Sequence, residues 1–203
     1  MRFLKLCLLF IAATAATLSA SHAQSVIENG GFENAGDPFK GWITDYAWAG
    51  NSNYMANKTH VSIVADGAHK NVVKMDSPGE EGVKMECRAF PLEPGFRYVC
   101  NLDVKGGDYR IYFAGYRWAP GVQPHENPEL GELRLVYQSK VAQNTAGNAW
   151  KQEKMELPGV ALSPQALEHL KQVRFLTVYI WFHTPGFVDN VTVTKVADPA
   201  MKF

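Results

Sequence analysis

Apolar and polar residues alternate along the sequence from residue 42 onwards, and short clusters of Gly, Pro, Asn and Asp interrupt the alternation. A period of two places successive side chains on opposite faces of a strand, whereas an amphipathic helix needs a period near 3.6. Stretches such as DGAHK, SPGEEG, LEPG and KGGD have the composition of turns. The pattern predicts strands at residues 42–48, 59–65, 70–76, 82–90, 96–105, 108–118, 132–138, 149–157, 172–183 and 186–196.

This number of short strands predicts an all-β fold. The strands are too many for one flat sheet, so we expect a two-sheet antiparallel β-sandwich with jelly-roll wiring. One short helix is expected near 163–171, because Ser163 can cap its first turn and Pro164 suits the first helical position. The stretch 119–131 contains three prolines and two glycines, which predicts a long surface loop.

The first 23 residues have a different character from the rest of the chain. A basic start with Arg2 and Lys5 precedes an apolar run from residue 6 to 18, and small residues follow it. This order is typical of a cleaved signal peptide and predicts export to the periplasm or the extracellular space. A membrane anchor is the alternative, but the apolar run is shorter than the roughly 20 residues that a spanning helix needs. We therefore expect residues 24–203 to form a single domain without a membrane span.

The charge balance excludes one class of partner. The full sequence has 20 basic and 20 acidic residues, and removal of the signal peptide would take away two of the basic ones. Because there is no long basic run, nucleic acid is not an expected partner. A domain of this size can bury a core by itself, so we expect a monomer.

Two cysteines remain after the signal peptide, Cys87 and Cys100. The residues between them contain a Pro-Leu-Glu-Pro-Gly turn, and a hairpin centred on residues 93 and 94 would place the two cysteines opposite each other. In an exported chain this spacing predicts a disulfide bond. The alternative is a pair of reduced, buried thiols.

One face of the predicted sheet has an unusual composition. Alternation divides the strand 108–118 into a core face and a face that carries aromatic and basic residues, and it divides the strand 172–183 in the same way. Flat aromatic rings stack on sugar rings, while Arg and Gln donate hydrogen bonds to hydroxyls. The predicted ligand-binding residues are Arg110, Tyr112, Tyr116, Trp118, Arg134, Tyr179 and Trp181. The alternative is that the loop 119–131 and a segment with Tyr46, Trp48 and Tyr54 cover this face.

Three stretches together resemble the CenC-like carbohydrate-binding modules, which are secreted jelly-roll modules of the galactose-binding-like superfamily. They are IENGGFENAGDPFKGW, FPLEPGFRYVCNLDVKG and GFVDNVTVTKV, and NAWKQEKMELPG is a weaker fourth. The matches follow the family's order over almost the whole mature chain. The resemblance implies a jelly-roll fold and the binding of carbohydrate.

The resemblance also implies a structural calcium ion where the first and last strands meet. Glu33 and Asp189 would be its side-chain ligands, with a backbone carbonyl near Gly31. Calcium prefers six to eight oxygen ligands, and a glycine-rich turn lets carbonyls point at one centre. The alternative is that Glu33 caps a turn or pairs with a lysine, while Asp189 and Asn190 form an Asx turn.

We therefore expect an exported, non-catalytic protein that binds polysaccharides or oligosaccharides through the aromatic face. A jelly-roll lyase or glycosidase is the second hypothesis, with Arg110, Tyr112, Arg134 and His183 acting on a uronic-acid polymer. A third is an envelope interaction protein that keeps the fold without binding sugar. The sequence contains no zinc-type spacing of histidines and no GxSxG motif.

Overall fold

A computed structural model describes residues 24–50, 56–145, 147–159 and 162–201. The predicted signal peptide and Tyr54 lie outside these ranges. Within them the chain forms twelve strands and one α-helix: β1 (Trp42–Ile43), β2 (Val61–Ala65), β3 (Asn71–Met75), β4 (Val83–Cys87), β5 (Phe90–Pro91), β6 (Phe96–Gly106), β7 (Asp108–Trp118), β8 (Leu133–Gln138), β9 (Ala142–Thr145), β10 (Lys151–Leu157), α1 (Pro164–Lys171), β11 (Phe175–Phe182) and β12 (Gly186–Ala197).

The strands form two antiparallel sheets. The first sheet has the order β1-β4-β11-β7-β8, with β5 paired to β11 and β9 paired to β7. The second sheet has the order β10-β6-β12-β3-β2. This arrangement confirms the prediction of a two-sheet β-sandwich with jelly-roll wiring.

The core lies between the two sheets. From the first sheet, the aliphatic side chains of β11 and the alternate residues of β7 point inwards, and the fully buried ones include Ile111, Phe113, Val178 and Ile180. Every second residue of β6 from Tyr98 to Val104 faces them from the second sheet, together with Val188, Val191 and Val193 of β12, whose register shifts between Asp189 and Thr192. Alternation along each long strand therefore separates one core face from one outer face, as the sequence pattern predicts.

The helix α1 begins and ends close to the predicted positions. Ser163 accepts a hydrogen bond from the Ala166 backbone N–H at 3.1 Å, and Pro164 is the first helical residue. Leu170 of this helix is fully buried in the core. No helix in the described ranges is both long and apolar enough to cross a membrane.

The segment before β1 runs beside β12 and closes one edge of the core. The backbone N–H of Val26 donates to the Val193 carbonyl at 2.8 Å, and the Val191 N–H donates to the Gly30 carbonyl at 2.8 Å. Gly30 lies so close to β12 that a Cβ atom there would be 1.7 Å from the Val191 carbonyl oxygen. The first and last parts of the described chain are thus joined by backbone hydrogen bonds.

The two cysteines are separate, buried thiols, so the predicted disulfide bond is wrong. Cys87 ends β4 in the first sheet, while Cys100 lies in β6 of the second sheet. The turn between them connects strands of different sheets and does not form the symmetric hairpin on which the prediction depended. The backbone N–H of Val178 donates to the Cys87 sulfur at 3.1 Å. Burial raises the pKa of the Cys87 thiol to about 12, and it also raises the pKa of Cys100.

Candidate functional site

The outer face of the first sheet carries most of the predicted ligand-binding residues. In the pairing of β7 with β11, Tyr112 lies opposite Tyr179 and Arg110 lies opposite Trp181. Tyr116 and Trp118 follow on the same face of β7, as alternation requires. This face has two halves that differ in what covers them.

One half of the face is covered by a second apolar layer. Tyr46, Leu130 and Leu133 pack there against Tyr116, whose side chain is only 7% exposed. Trp118 contacts the ring of Phe175 edge-on at 5.3 Å between centroids, and its ring centroid is 5.0 Å from that of His125. The alternative, in which the loop 119–131 and the segment around Tyr46 cover the face, is therefore found at this half. Tyr116 is buried among these residues and is closed to a ligand.

The other half of the face is an open cleft. The cleft is lined by residues of β7, β8, β9 and β11 and of the turn before β4, and the part of it around Asp108, Asn144 and His183 has a volume of about 720 Å³. Its lining includes Glu80, Glu81, Asp108, Arg110, Tyr112, Gln138, Gln143, Asn144, Tyr179, Trp181 and His183. This combination of aromatic rings with amides and charged groups is typical of small-ligand sites.

Trp181 is the central aromatic side chain of the cleft, and several contacts fix its ring. Its indole N–H donates to the Glu81 carbonyl at 3.1 Å, and the guanidinium carbon of Arg110 lies 5.1 Å from the ring centroid. Gly82 adopts a positive φ of 71°, and a Cβ atom there would lie 2.4 Å from the indole. His183 stacks beside the ring at 5.6 Å. The half-buried indole is therefore held in one orientation.

Tyr179 and Tyr112 form the floor beside Trp181. Their rings stack with centroids 4.6 Å apart, and the side-chain amide of Gln138 donates to the Tyr112 hydroxyl at 3.1 Å. Lys84 belongs to the neighbouring strand β4, and its ammonium group lies 5.6 Å from the centroid of the Tyr179 ring. Burial lowers the pKa of Lys84. Tyr112 is 9% exposed, so Tyr179 and Trp181 offer more aromatic surface than Tyr112 does.

A buried carboxylate supports the covered half of the face. The hydroxyls of Tyr116 and Thr177 donate to the same oxygen of Glu86, at 2.7 and 2.8 Å. The Tyr46 hydroxyl is 3.5 Å from the other oxygen and also lies 3.1 Å from the Ile43 carbonyl. Glu86 is 1% exposed, and burial raises its pKa in spite of these hydrogen bonds. The network fixes the side chains on which the covering layer packs.

Arg134 does not join the aromatic face. The register between β7 and β8 shifts after Gly115, so that Gln138 lies opposite Ala114 but Arg134 lies opposite Arg117. Because side chains alternate along β7, Arg117 lies on the opposite face of the sheet from Tyr116 and Trp118. A β-bulge of this kind reverses the face of every residue beyond it. The alternation in the sequence does not reveal the bulge.

The carboxylates of the two predicted metal ligands, Glu33 and Asp189, contact different residues. Glu33 accepts hydrogen bonds from the Asn71 backbone and side chain, at 3.2 and 3.1 Å. One oxygen of the buried Asp189 is 2.9 Å from His69 Nδ1, and the other oxygen is buried without a hydrogen-bond partner. A Cβ on Gly31 would lie 3.9 Å from the Asn190 side-chain oxygen and 4.0 Å from Cγ of Glu33. No three His, Cys, Asp or Glu side chains in the described ranges are grouped as they would be around a metal ion.

Five polar residues of the cleft were missed by the sequence analysis: Glu80, Glu81, Asp108, Gln143 and Asn144. The two glutamates belong to the turn before β4, and turn residues carry no periodic signal. Gln143 and Asn144 belong to β9, a short strand that pairs with β7 and places Gln143 opposite Arg110. The AQNT sequence of β9 does not alternate in hydropathy, so it gives no strand signal.

Comparison with known proteins gives a likeness in fold only. No protein-family model matches the sequence, and no curated protein matches it significantly. Among solved structures, the chain resembles TmCBM61 in complex with β-1,4-galactotriose, with 16% identity, a TM-score of 0.47 and coverage of 86% of this chain and 100% of that one. It also resembles a CBM4 module, with 12% identity, a TM-score of 0.44 and coverage of 84% and 99%.

A third similar structure contains the CBM22-1 and GH10 modules of the Clostridium thermocellum endo-1,4-β-D-xylanase 10B, complexed with xylohexaose. Its identity is 12% and its TM-score 0.44, and the match covers 86% of this chain and 28% of that one. Likeness at these identities concerns the fold of the sandwich. The function must be argued from the cleft itself.

Proposed function

We propose that this protein is an exported, non-catalytic carbohydrate-binding module that holds a polysaccharide or oligosaccharide in the cleft. The observation that carries the proposal is the pair of half-buried rings, Tyr179 and Trp181, fixed on the floor of an open cleft. A sugar ring has an apolar C–H face, which gains hydrophobic contact when it stacks on such a ring.

The polar rim of the cleft complements this floor. Arg110 and Asn144 can donate to ring hydroxyls, while the carboxylates of Glu80 and Asp108 can accept from them. Because Trp181 is already held by Arg110 and by the Glu81 carbonyl, little side-chain entropy is lost when a ligand binds. This fixed geometry supports stacking on a sugar with little rearrangement.

Replacing Trp181 with alanine tests the proposal. We expect Trp181→Ala to weaken binding about tenfold to hundredfold, because an aromatic contact of about 1.5–3 kcal/mol is lost. Retention in native gels that contain xylan, mixed-linkage β-glucan or β-1,4-galactan measures the effect. Gly82→Ala should also weaken binding, because its new methyl group would lie 2.4 Å from the indole and 2.7 Å from the Phe182 carbonyl oxygen, so that the Trp181 ring and its strand must shift.

The matched control is Trp150→Ala, which removes a partly exposed tryptophan that stacks on His69 away from the cleft. This variant should be retained like the unmodified protein. Equal retention of all three variants on every polysaccharide would contradict the proposal. Thermal melting of each variant separates lost binding from lost folding.

A lyase or glycosidase is the competing function, because the cleft holds carboxylates together with Arg110, Tyr112 and His183. Arg134, the fourth residue of that hypothesis, lies opposite Arg117, away from the cleft. Incubation with neutral and uronic-acid polysaccharides distinguishes the two functions. An increase in reducing ends, or in the absorbance of unsaturated sugars, would show that the protein cleaves the polysaccharide and would contradict a non-catalytic function.

We further propose that calcium binds where the ends of the chain meet, with Asp189 and Glu33 as side-chain ligands and a carbonyl near Gly31. The unpartnered, buried oxygen of Asp189 fits a cation ligand, because such an oxygen is costly without one. Calcium would supply only structural stabilisation there.

We expect chelation to lower the melting temperature of the unmodified protein by several degrees, since an ion that binds only the folded state stabilises it. Calcium titration of metal-stripped protein should release or absorb heat. Asp189→Asn should abolish both effects, whereas Asp76→Asn, which changes an exposed carboxylate, should not. A melting temperature unaffected by chelator, together with no heat of binding, would remove calcium from the proposal.

A further inference from the structure

The indole of Trp48 is the most exposed large apolar side chain in the described ranges. It is 55% exposed, although Tyr46, two residues earlier, is buried at 1%. The segment that covers half of the aromatic face therefore buries its tyrosine and turns its tryptophan outwards. Full burial of an apolar side chain of this size would stabilise the folded state by about 1.5–3 kcal/mol, and the exposed Trp48 does not make the whole of this contribution.

The turn that carries Trp48 is fixed by side-chain contacts. The carboxylate of Asp45 accepts from the Ala47 backbone N–H at 3.0 Å and pairs with the Lys58 ammonium at 2.7 Å. Gly50 then ends the turn in the left-handed conformation, with φ 64°, and its N–H bonds to the Ala47 carbonyl. The indole thus projects from an ordered support.

The loop that faces Trp48 is also held in place. A Cβ atom on Gly131 would lie 3.3 Å from Cε3 and Cζ3 of the indole, so this edge of the ring rests on the glycine backbone. The backbone N–H of Glu129 donates to the Glu132 carboxylate at 2.8 Å, and Nε2 of His125 lies 3.1 Å from the same carboxylate. The ring and its neighbouring loop form a preorganised surface.

A cavity of about 530 Å³ opens between this turn and this loop, and we call it the Trp48 pocket. Its apolar lining includes Ile43, Trp48 and Leu130, and its polar lining includes Arg88, Asn127 and Glu129. The volume is within the range of small-ligand sites, and a few polar groups around an apolar surface are typical of them. Arg88 and Asn127 supply donors, and the glutamate supplies acceptors.

We propose that the Trp48 pocket is a second sugar-binding site, in which an uncharged, hydroxyl-bearing sugar ring stacks on Trp48. This inference rests on the proposed function, because the same class of ligand occupies both sites. The Trp48 pocket is distinct from the cleft, since the two cavities share no lining residue. Two sites on one domain let one polysaccharide chain, or two, be held at once.

The experiment compares Trp48→Ala, Trp181→Ala and the double variant. Titration with a trisaccharide of xylan, mixed-linkage β-glucan or β-1,4-galactan should give two sites per unmodified protein and one site for each single variant. On the polymer, Trp48→Ala should lower the apparent affinity about tenfold or more, because avidity is lost. Arg88→Ala, which removes an exposed side chain of the same pocket, should lower it in the same direction.

Several results would overturn the proposal. A single trisaccharide site in the unmodified protein, lost in Trp181→Ala and unchanged in Trp48→Ala, would leave the cleft as the binding site and remove the second one. A dimer that dissociates in Trp48→Ala during sedimentation would assign the indole to self-association. Absence of binding to every polysaccharide would instead contradict the proposed function itself. Because Trp48 is exposed, melting of Trp48→Ala should match that of the unmodified protein.

Discussion

Gly30→Ala is expected to be the most destabilising substitution in the segment that precedes β1. Its new Cβ would stand 1.7 Å from the Val191 carbonyl oxygen, far inside van der Waals contact, and the obstacle is backbone. Relief requires the segment to move away from β12 and to break the Val191 N–H bond to the Gly30 carbonyl. We expect a loss of about 3 kcal/mol or more in the free energy of unfolding. For a domain of this size, that lowers the melting temperature by about 6–12 °C.

Gly36→Ala is the matched control for this substitution. Gly36 is exposed in the same segment, and its added Cβ would meet only the Asn34 side chain, at an ordinary 3.7 Å. Calorimetry of both variants should show a large loss for Gly30→Ala and almost none for Gly36→Ala. Equal melting temperatures would mean that the first segment does not contribute to the cooperative fold.

Glu86→Leu is expected to destabilise the protein by about 3 kcal/mol or more. The substitution leaves the hydroxyls of Tyr116 and Thr177 without their buried acceptor, and each unsatisfied group costs about 1–3 kcal/mol. Glu86→Gln keeps an acceptor at that position and can donate to the Tyr46 hydroxyl. Urea unfolding near neutral pH should therefore rank the glutamine variant well above the leucine variant.

The same pair of variants gives a pH dependence with a defined sign. Burial raises the pKa of Glu86, so the folded state binds its proton more tightly than the unfolded state does. The stabilisation from this proton is complete below the unfolded pKa and is lost as pH rises through the higher folded pKa. Glu86→Gln cannot titrate, so we expect its stability relative to the unmodified protein to increase across this interval and then to level off. A stability difference that is constant from pH 4 to pH 8 would contradict this.

The long strands and the side chains they place on each face could be predicted from the sequence. In β7 and β11 the alternation is strong, so the sequence predicts that Tyr112 and Tyr179 share one face, and their rings stack there. The short strands were missed, because Phe90–Pro91 and Ala142–Thr145 are too short or too polar to alternate. Alternation of apolar and polar residues therefore identifies only those strands that have one buried face and one more exposed face.

The cleft was less predictable than the strands that form it. Arg134 is excluded by a shift in register, and Glu80 enters from a turn, so neither position follows from periodicity. Whether the aromatic face is open or covered also depends on contacts between distant segments. Tyr46 and Leu130 meet Tyr116 only because two loops fold over the same half of the sheet.

The two buried thiols, Cys87 and Cys100, can report on opening of the sandwich. Each thiol lies in the core, one on each sheet, and burial raises the pKa of both, so neither reacts while the sandwich is closed. An alkylating reagent can reach either thiol only when the two sheets separate. The alkylation rate of each cysteine therefore measures how often the core opens around that residue.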